Sequence, residues 1–174
     1  MKSCMEVMLS RRSVKKYKPD LMPKKEDLDK IIEAGLAAAS GRNMQAPVII
    51  AVTNKEIRDR LSRDNAEIMG AKADPFYGAP CVMVVLAEKT AHTYVYDGSL
   101  SLGNMMLAAH ELGLGSCWIH RAKEVMYKPE WVEWIKSLGL EGEYEGIGNL
   151  VVGYPDGDFP AEKPRREGRL VWVE

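Results

Sequence analysis

Cys81-Val82-Met83-Val84-Val85-Leu86-Ala87 is the stretch that decides the architecture. All seven residues are apolar and nothing alternates. A strand with one wet face reads apolar, polar, apolar; a continuous run belongs to a strand covered on both faces. The sheet that holds it therefore needs helices above and below. Gly78-Ala79-Pro80 breaks the chain immediately before the run.

Outward from this strand, segments of the two kinds alternate. On the N-terminal side, Lys55 to about Gly70 reads as a charged surface helix with Ile57, Leu61 and Ile68 turned inward. Before it, Val48 to Val52 is a short β-branched strand. Earlier still, Lys24 to Ala39 carries Leu28, Ile31, Ile32, Gly35, Leu36 and Ala39 on one stripe at helical spacing, with Pro23 suited to its first turn. Met5 to Leu9 fits a short amphipathic helix. On the C-terminal side, Gly98 to Leu112 is apolar nearly all round, so it must be buried centrally or between subunits, with Gly113 as its cap. Ser116 to Ile119 is a short strand, Glu130 to Leu138 a polar helix, Ile147 to Val152 a buried strand, and Leu170 to Val173 a last strand. No repeat or linker divides residues 1–174, which read as a single domain.

Composition narrows the function classes. A formal net charge of −1 gives no global preference for nucleic acid or anionic membrane. No apolar run approaches the ~20 residues of a membrane span. The N-terminal residues lack the apolar core of a signal peptide. Cys4, Cys81 and Cys117 are odd in number and widely spaced, which suits reduced thiols and a cytoplasmic location. The ten methionines read mainly as core filler, with a subunit interface or an aromatic ligand as the other use.

Four segments carry chemistry. Arg11-Arg12-Ser13-Val14-Lys15-Lys16-Tyr17 packs guanidiniums, a hydroxyl and ammonium groups together, and an extended backbone sets Arg11, Ser13 and Lys15 on one side. That side suits a phosphate, although a short basic run alone also suits a solvated surface. Ala38-Ala39-Ser40-Gly41-Arg42-Asn43-Met44-Gln45 is a small-residue turn with amide groups at Asn43 and Gln45. Leu112-Gly113-Leu114-Gly115-Ser116-Cys117-Trp118-Ile119-His120-Arg121 has two glycines but neither the dinucleotide-fold nor the nucleotide-loop spacing. Lys163-Pro164-Arg165-Arg166 is a second basic cluster. The three histidines and three cysteines show no C-x-x-C or H-x-x-x-H spacing, so no metal site is expected. Cys117 reads as a buried thiol in preference to a nucleophile partnered by His120.

In this order, these segments together with Val152-Gly153-Tyr154-Pro155 resemble the nitroreductase family of FMN-dependent oxidoreductases. The resemblance implies an α+β, three-layer fold. Its central sheet is mixed but mainly antiparallel and flanked by helices, and the homodimer exchanges its C-terminal strand. It implies FMN at the subunit interface and NAD(P)H as co-substrate. Arg11 and Arg165 would clamp the FMN phosphate, helped by Ser13 and Lys163. Arg12 would lie along the ribityl chain or pyrimidine edge, and Lys15 near flavin N1 and the C2 carbonyl. Ser40, Asn43 and Gln45 would come from the partner subunit. Trp118 and Ile119 would lie against the ring, and a backbone N–H around His120 or Arg121 would donate to N5.

The implied activity is ping-pong reduction of nitroaromatic, quinone or similar electron-poor acceptors, with no protein side chain named as catalytic. Other implied uses of the scaffold are reductive dehalogenation, enone reduction, and a flavin-binding or redox-sensing module with little turnover. Between Ala71 and Ala79 there is little room for a lid.

Overall fold

The computed structural model describes residues 3–174. Strand β2 (Cys81–Glu88) is the axis of its sheet, and every residue from Cys81 to Ala87 is buried. On one side β2 pairs antiparallel with β1 (Pro47–Val52), on the other with β4 (Tyr144–Gly153). β3 (Gly115–Ile119) pairs antiparallel with β4, giving the order β1-β2-β4-β3. Among the described residues no two strands pair in parallel, and the parallel element is one bridge, Ser13 to Ser116.

Helices cover both faces, as the unbroken apolar run requires. Cys81, Met83, Val85 and Ala87 point to a layer built from α2 (Lys25–Leu36) and α4 (Tyr94–Glu111), through Leu28, Ile31, Leu102, Met105 and Ala109. Val82, Val84 and Leu86 point the other way, to α3 (Lys55–Met69), α5 (Ala122–Met126) and α6 (Pro129–Ser137). There Leu61, Val125, Met126, Trp131 and Ile135 fill the core. Trp131 is fully buried, donates its indole N–H to Asp64 at 2.6 Å, and meets Trp134 edge-on. The turn between α3 and β2 is knotted by Asp74, which accepts from Ser62, from Arg58 and from the backbone N–H groups of Phe76 and Gly78. Burial alone would raise the Asp74 carboxyl, but these donors outweigh it and hold it below its ordinary range.

Helix α1 (Cys4–Ser10) opens on a capping box between Ser3 and Glu6. α4 starts at Tyr94, four residues before the apolar run that signals it in sequence. In the single chain it is not covered all round: Leu100 is 51% exposed and Tyr96 72%. Helix α5 has no counterpart in the sequence reading, because five residues are too few to display a period. Leu170 to Val173, expected as a strand, has no ladder partner among the described residues and forms none. Its side chains stand in solvent, with Val173 93% exposed. No helix among the described residues is long and apolar enough to cross a membrane.

Candidate functional site: a split cationic cradle

The basic segment leaves α1 in extended conformation, with the Arg11 N–H closing the helix on the Val7 carbonyl. It then lies against the outer edge of β3, where the Val14 N–H donates to the Ser116 carbonyl at 3.0 Å. Gly115 makes this approach possible, since a Cβ there would sit 3.0 Å from both Val14 and Tyr17. Gly113, at φ 75°, is the left-handed cap of α4 that turns the chain into β3. Val14 and Tyr17 are buried anchors, and burial pushes the Tyr17 phenol far up. With those side chains inward, the polar ones are left facing out.

The C-terminal tail comes back over the same surface and is held at two points. Phe159 packs edge-on against the His110 ring, 5.1 Å between centroids. Glu162 pairs with Arg12 at 3.1 Å. Between the two lie Pro160 and Ala161, and beyond them the tail delivers Lys163 and Arg165. The resulting cavity, about 410 Å³, is lined by Arg11, Arg12, Ser13, Lys15, Pro160, Ala161, Lys163 and Arg165. Two clusters about 150 residues apart in sequence thus meet as two jaws.

Its electrostatics call for an anion. Arg11 buries Nη1 with no hydrogen-bond partner among the described residues. Burial, then the neighbouring Arg12 and Arg165 guanidiniums, lower the Arg11 pKa, while Cys117 opposes them. An unpaired buried guanidinium nitrogen is costly, and a bidentate oxyanion is the ligand that best satisfies it. Arg12 is already engaged: Nη1 donates to the carbonyls of Leu9 and Arg11, and Nη2 faces Glu162. It therefore ties the tail to α1 as well as lining the cavity. Cys117 lies beneath the cradle, and burial pushes its thiol up against the opposing pull of Ser13, Lys15 and Arg11. That is the opposite of what a nucleophilic thiolate needs.

The other sequence-designated residues lie outside the cavity lining. Ser40, Asn43 and Gln45 sit on a loop around a 3₁₀ turn (Gly41–Asn43), whose Arg42, Asn43 and Gln45 all have φ between 50° and 57°. The loop is braced internally, Ser40 Oγ accepting from the Gln45 N–H and Asn43 Oδ1 from Gln45 Nε2. From outside, the buried Asp97 accepts the Gly41 N–H at 3.1 Å and the Thr93 hydroxyl at 2.9 Å. Trp118 and Ile119 alternate across β3. The Trp118 indole packs over Gly148 in the α2/α4 layer, and Ile119 enters the α3/α5/α6 layer. A ligand touching both meets them at the strand's edge. His120 is exposed, and Arg121 caps α5 at φ 75°. Pro160, Ala161, Asp97 and Asn65, whose side chain bonds the His120 carbonyl at 2.9 Å, have no sequence signature that singles them out.

In this three-layer α+β fold the cationic cradle joins segments from the two ends of the sequence, and its charge suits a phosphorylated ligand. The chain belongs to the nitroreductase family, whose model it matches over residues 8–75 and 63–154. A relative from Methanothermobacter thermautotrophicus, whose name couples NADH dehydrogenase with NAD(P)H nitroreductase, is 32% identical over 114 residues. That match covers 66% of this chain and 59% of the relative, so the chain spans less than two thirds of that protein. An NADPH-flavin oxidoreductase from Vibrio harveyi is 28% identical across 98% of this chain and 73% of its own length. Among solved structures, a Bacteroides fragilis nitroreductase with bound FMN superimposes with a TM-score of 0.86 at 29% identity, covering 100% of both chains.

Proposed function

We propose that the chain binds FMN and passes reducing equivalents from NAD(P)H to an electron-poor acceptor, such as a nitroaromatic or quinone, in ping-pong order. The observation that carries this reading is the gathering of Arg11, Arg12, Lys15, Lys163 and Arg165 around one cavity, with Arg11 Nη1 buried and unpaired among the described residues. The FMN-bound structure of the Bacteroides fragilis relative supports the choice of ligand.

In this reading Arg11 and Arg165 hold the phosphate from opposite jaws, with Ser13 and Lys163 completing its shell. Lys15 is the next cation along the extended segment and stands toward the ring, where positive charge favours reduction. When bound, FMN supplies hydride acceptance and donation. The chain's own part is to hold, orient and polarise it. Backbone at Trp118 to Arg121 meets the ring's edge, and the Ser40–Gln45 loop reaches the site of a second subunit.

The homodimer is part of the same proposal. Met5 and Leu9 on α1, Leu36 on α2, and Tyr96 and Leu100 on α4 are exposed apolar side chains that a second subunit would cover. Leu170 to Val173 fits as an added strand on a partner's sheet. The outer edge of β1 has no ladder partner among the described residues, whereas β3's edge already holds Ser13. The three cysteines are free, with Cys4 exposed, and support a cytoplasmic setting.

Steady-state oxidation of NADH and NADPH by the FMN-loaded protein, with and without a nitroaromatic or quinone, tests the activity. Acceptor-dependent turnover with parallel double-reciprocal lines is expected. A loaded dimer that shows no acceptor-dependent turnover overturns the reductase reading and leaves a flavin-binding module.

A further inference from the structure

We infer that Asn65, on α3, is a positioning residue for the cofactor: its side chain fixes the His120–Arg121 peptide so that the Arg121 N–H faces outward to the flavin. This rests on the FMN reading above.

The geometry is local and explicit. Asn65 is fully buried, and its Nδ2 donates to the His120 carbonyl at 2.9 Å. No cis peptide occurs among the described residues, so the carbonyl of His120 and the N–H of Arg121 point in opposite directions. Drawing the carbonyl toward α3 therefore turns the N–H away from α3 and out of the core. That N–H has no hydrogen-bond partner among the described residues. The carbonyl of Arg121 is occupied as well, accepting the Val125 N–H in the first turn of α5. Both flanking carbonyls are thus tied, and the donor between them is left open.

Two costs mark the arrangement as selected for something besides packing. Arg121 holds a left-handed φ of 75°, unfavourable for a side-chain-bearing residue. Asn65 leaves its own Oδ1 unpaired in the core. A leucine of similar size would fill the space next to Leu61, one turn earlier on the same helix, without an orphaned oxygen. An aimed backbone donor accounts for both. N5 of oxidised flavin accepts such a bond, whereas reduced flavin carries hydrogen at N5 and cannot. The donor therefore favours the oxidised state.

The test compares the wild type, Asn65→Leu and Leu61→Ala for melting temperature and for affinity toward oxidised and reduced FMN. In Asn65→Leu, affinity for oxidised FMN should fall about threefold to tenfold, the worth of one hydrogen bond, with affinity for reduced FMN little changed. The bound flavin's midpoint potential should rise accordingly, a tenfold ratio being about 30 mV for a two-electron couple. Leu61→Ala should lower the melting temperature and leave the ratio as in the wild type. An unchanged ratio in Asn65→Leu, or an equal shift in Leu61→Ala, refutes the assignment. The wild type gives a check that needs no variant. Its Arg121 amide resonance should move when oxidised FMN is added and return toward the apo position on reduction, and a resonance indifferent to both also refutes it. If the wild type binds no FMN, the cofactor reading fails first and takes this one with it.

Discussion

Arg11 is the residue most open to test, because one of its guanidinium nitrogens is buried without a partner among the described residues and its side chain lines a cavity with four more cations, Arg12, Lys15, Lys163 and Arg165. Removing a charge-assisted hydrogen bond costs about 1.5–3 kcal/mol, so Arg11→Ala and Arg165→Ala should each weaken FMN binding by about tenfold to a hundredfold. Riboflavin, which lacks the phosphate, should bind both variants as it binds the wild type; fluorescence titration of the two flavins measures the difference. Equal losses for both flavins would place the phosphate elsewhere. At this scale the sequence is a good guide to one kind of residue. Arg11, Ser13 and Lys15 alternate, and Lys163 and Arg165 lie in a second basic cluster, so charge singles out both segments, while a shared role at a phosphate follows only from the family resemblance. Arg12 shows the limit: its pairing with Glu162 depends on the tail folding back across α1, which no local pattern encodes. Asn65 reads as one more polar residue on a charged helix until the His120 carbonyl is seen beside it.

Elements place these residues, and β4 is tightly constrained by its neighbours. A Cβ on Gly146 would stand 2.3 Å from the Ala122 carbonyl oxygen, a backbone atom of α5. One on Gly148 would stand 2.3 Å from the Trp118 indole nitrogen. The two glycines let α5 and Trp118 close onto the sheet. Gly146→Ala should force α5 outward and cost about 1–3 kcal/mol, the usual range for overpacking. A thermal melt against the wild type measures it, and an unchanged melting temperature would show that α5 yields freely. Because Arg121 caps α5, the same variant should also disturb the peptide that Asn65 holds. Long elements were legible because apolar periodicity persists over them: β2 follows from its unbroken run, and α2 from its stripe. Helix α5 and the left-handed residues at Arg42, Asn43 and Gln45 were not. Five residues show no period, and positive φ at three residues that are not glycine has no local signature in the sequence.

For the whole molecule, the features that the single chain leaves unexplained are apolar and exposed. Trp172 is 79% exposed, and Leu100 presents the outer side of α4. The sequence reads α4 as buried all round and Leu170 to Val173 as a strand; in one chain α4 is covered on one side and the tail is unpaired. A pattern records that a surface wants covering without recording which chain covers it, and the proposed second subunit would account for both. Sedimentation of the full chain should give a dimer, and ending the chain before Leu170 should weaken it measurably. A full-length monomer at micromolar concentration would contradict this.

The central claim is that the cavity between Arg11 and Arg165 holds FMN, and one titration addresses it directly. Apo-protein is titrated with FMN while flavin fluorescence and the visible spectrum are followed, with inorganic phosphate as competitor. The account predicts saturable binding, a perturbed flavin spectrum, and competition by phosphate at high concentration. A protein that stays colourless and leaves FMN fluorescence unchanged at every concentration would contradict it.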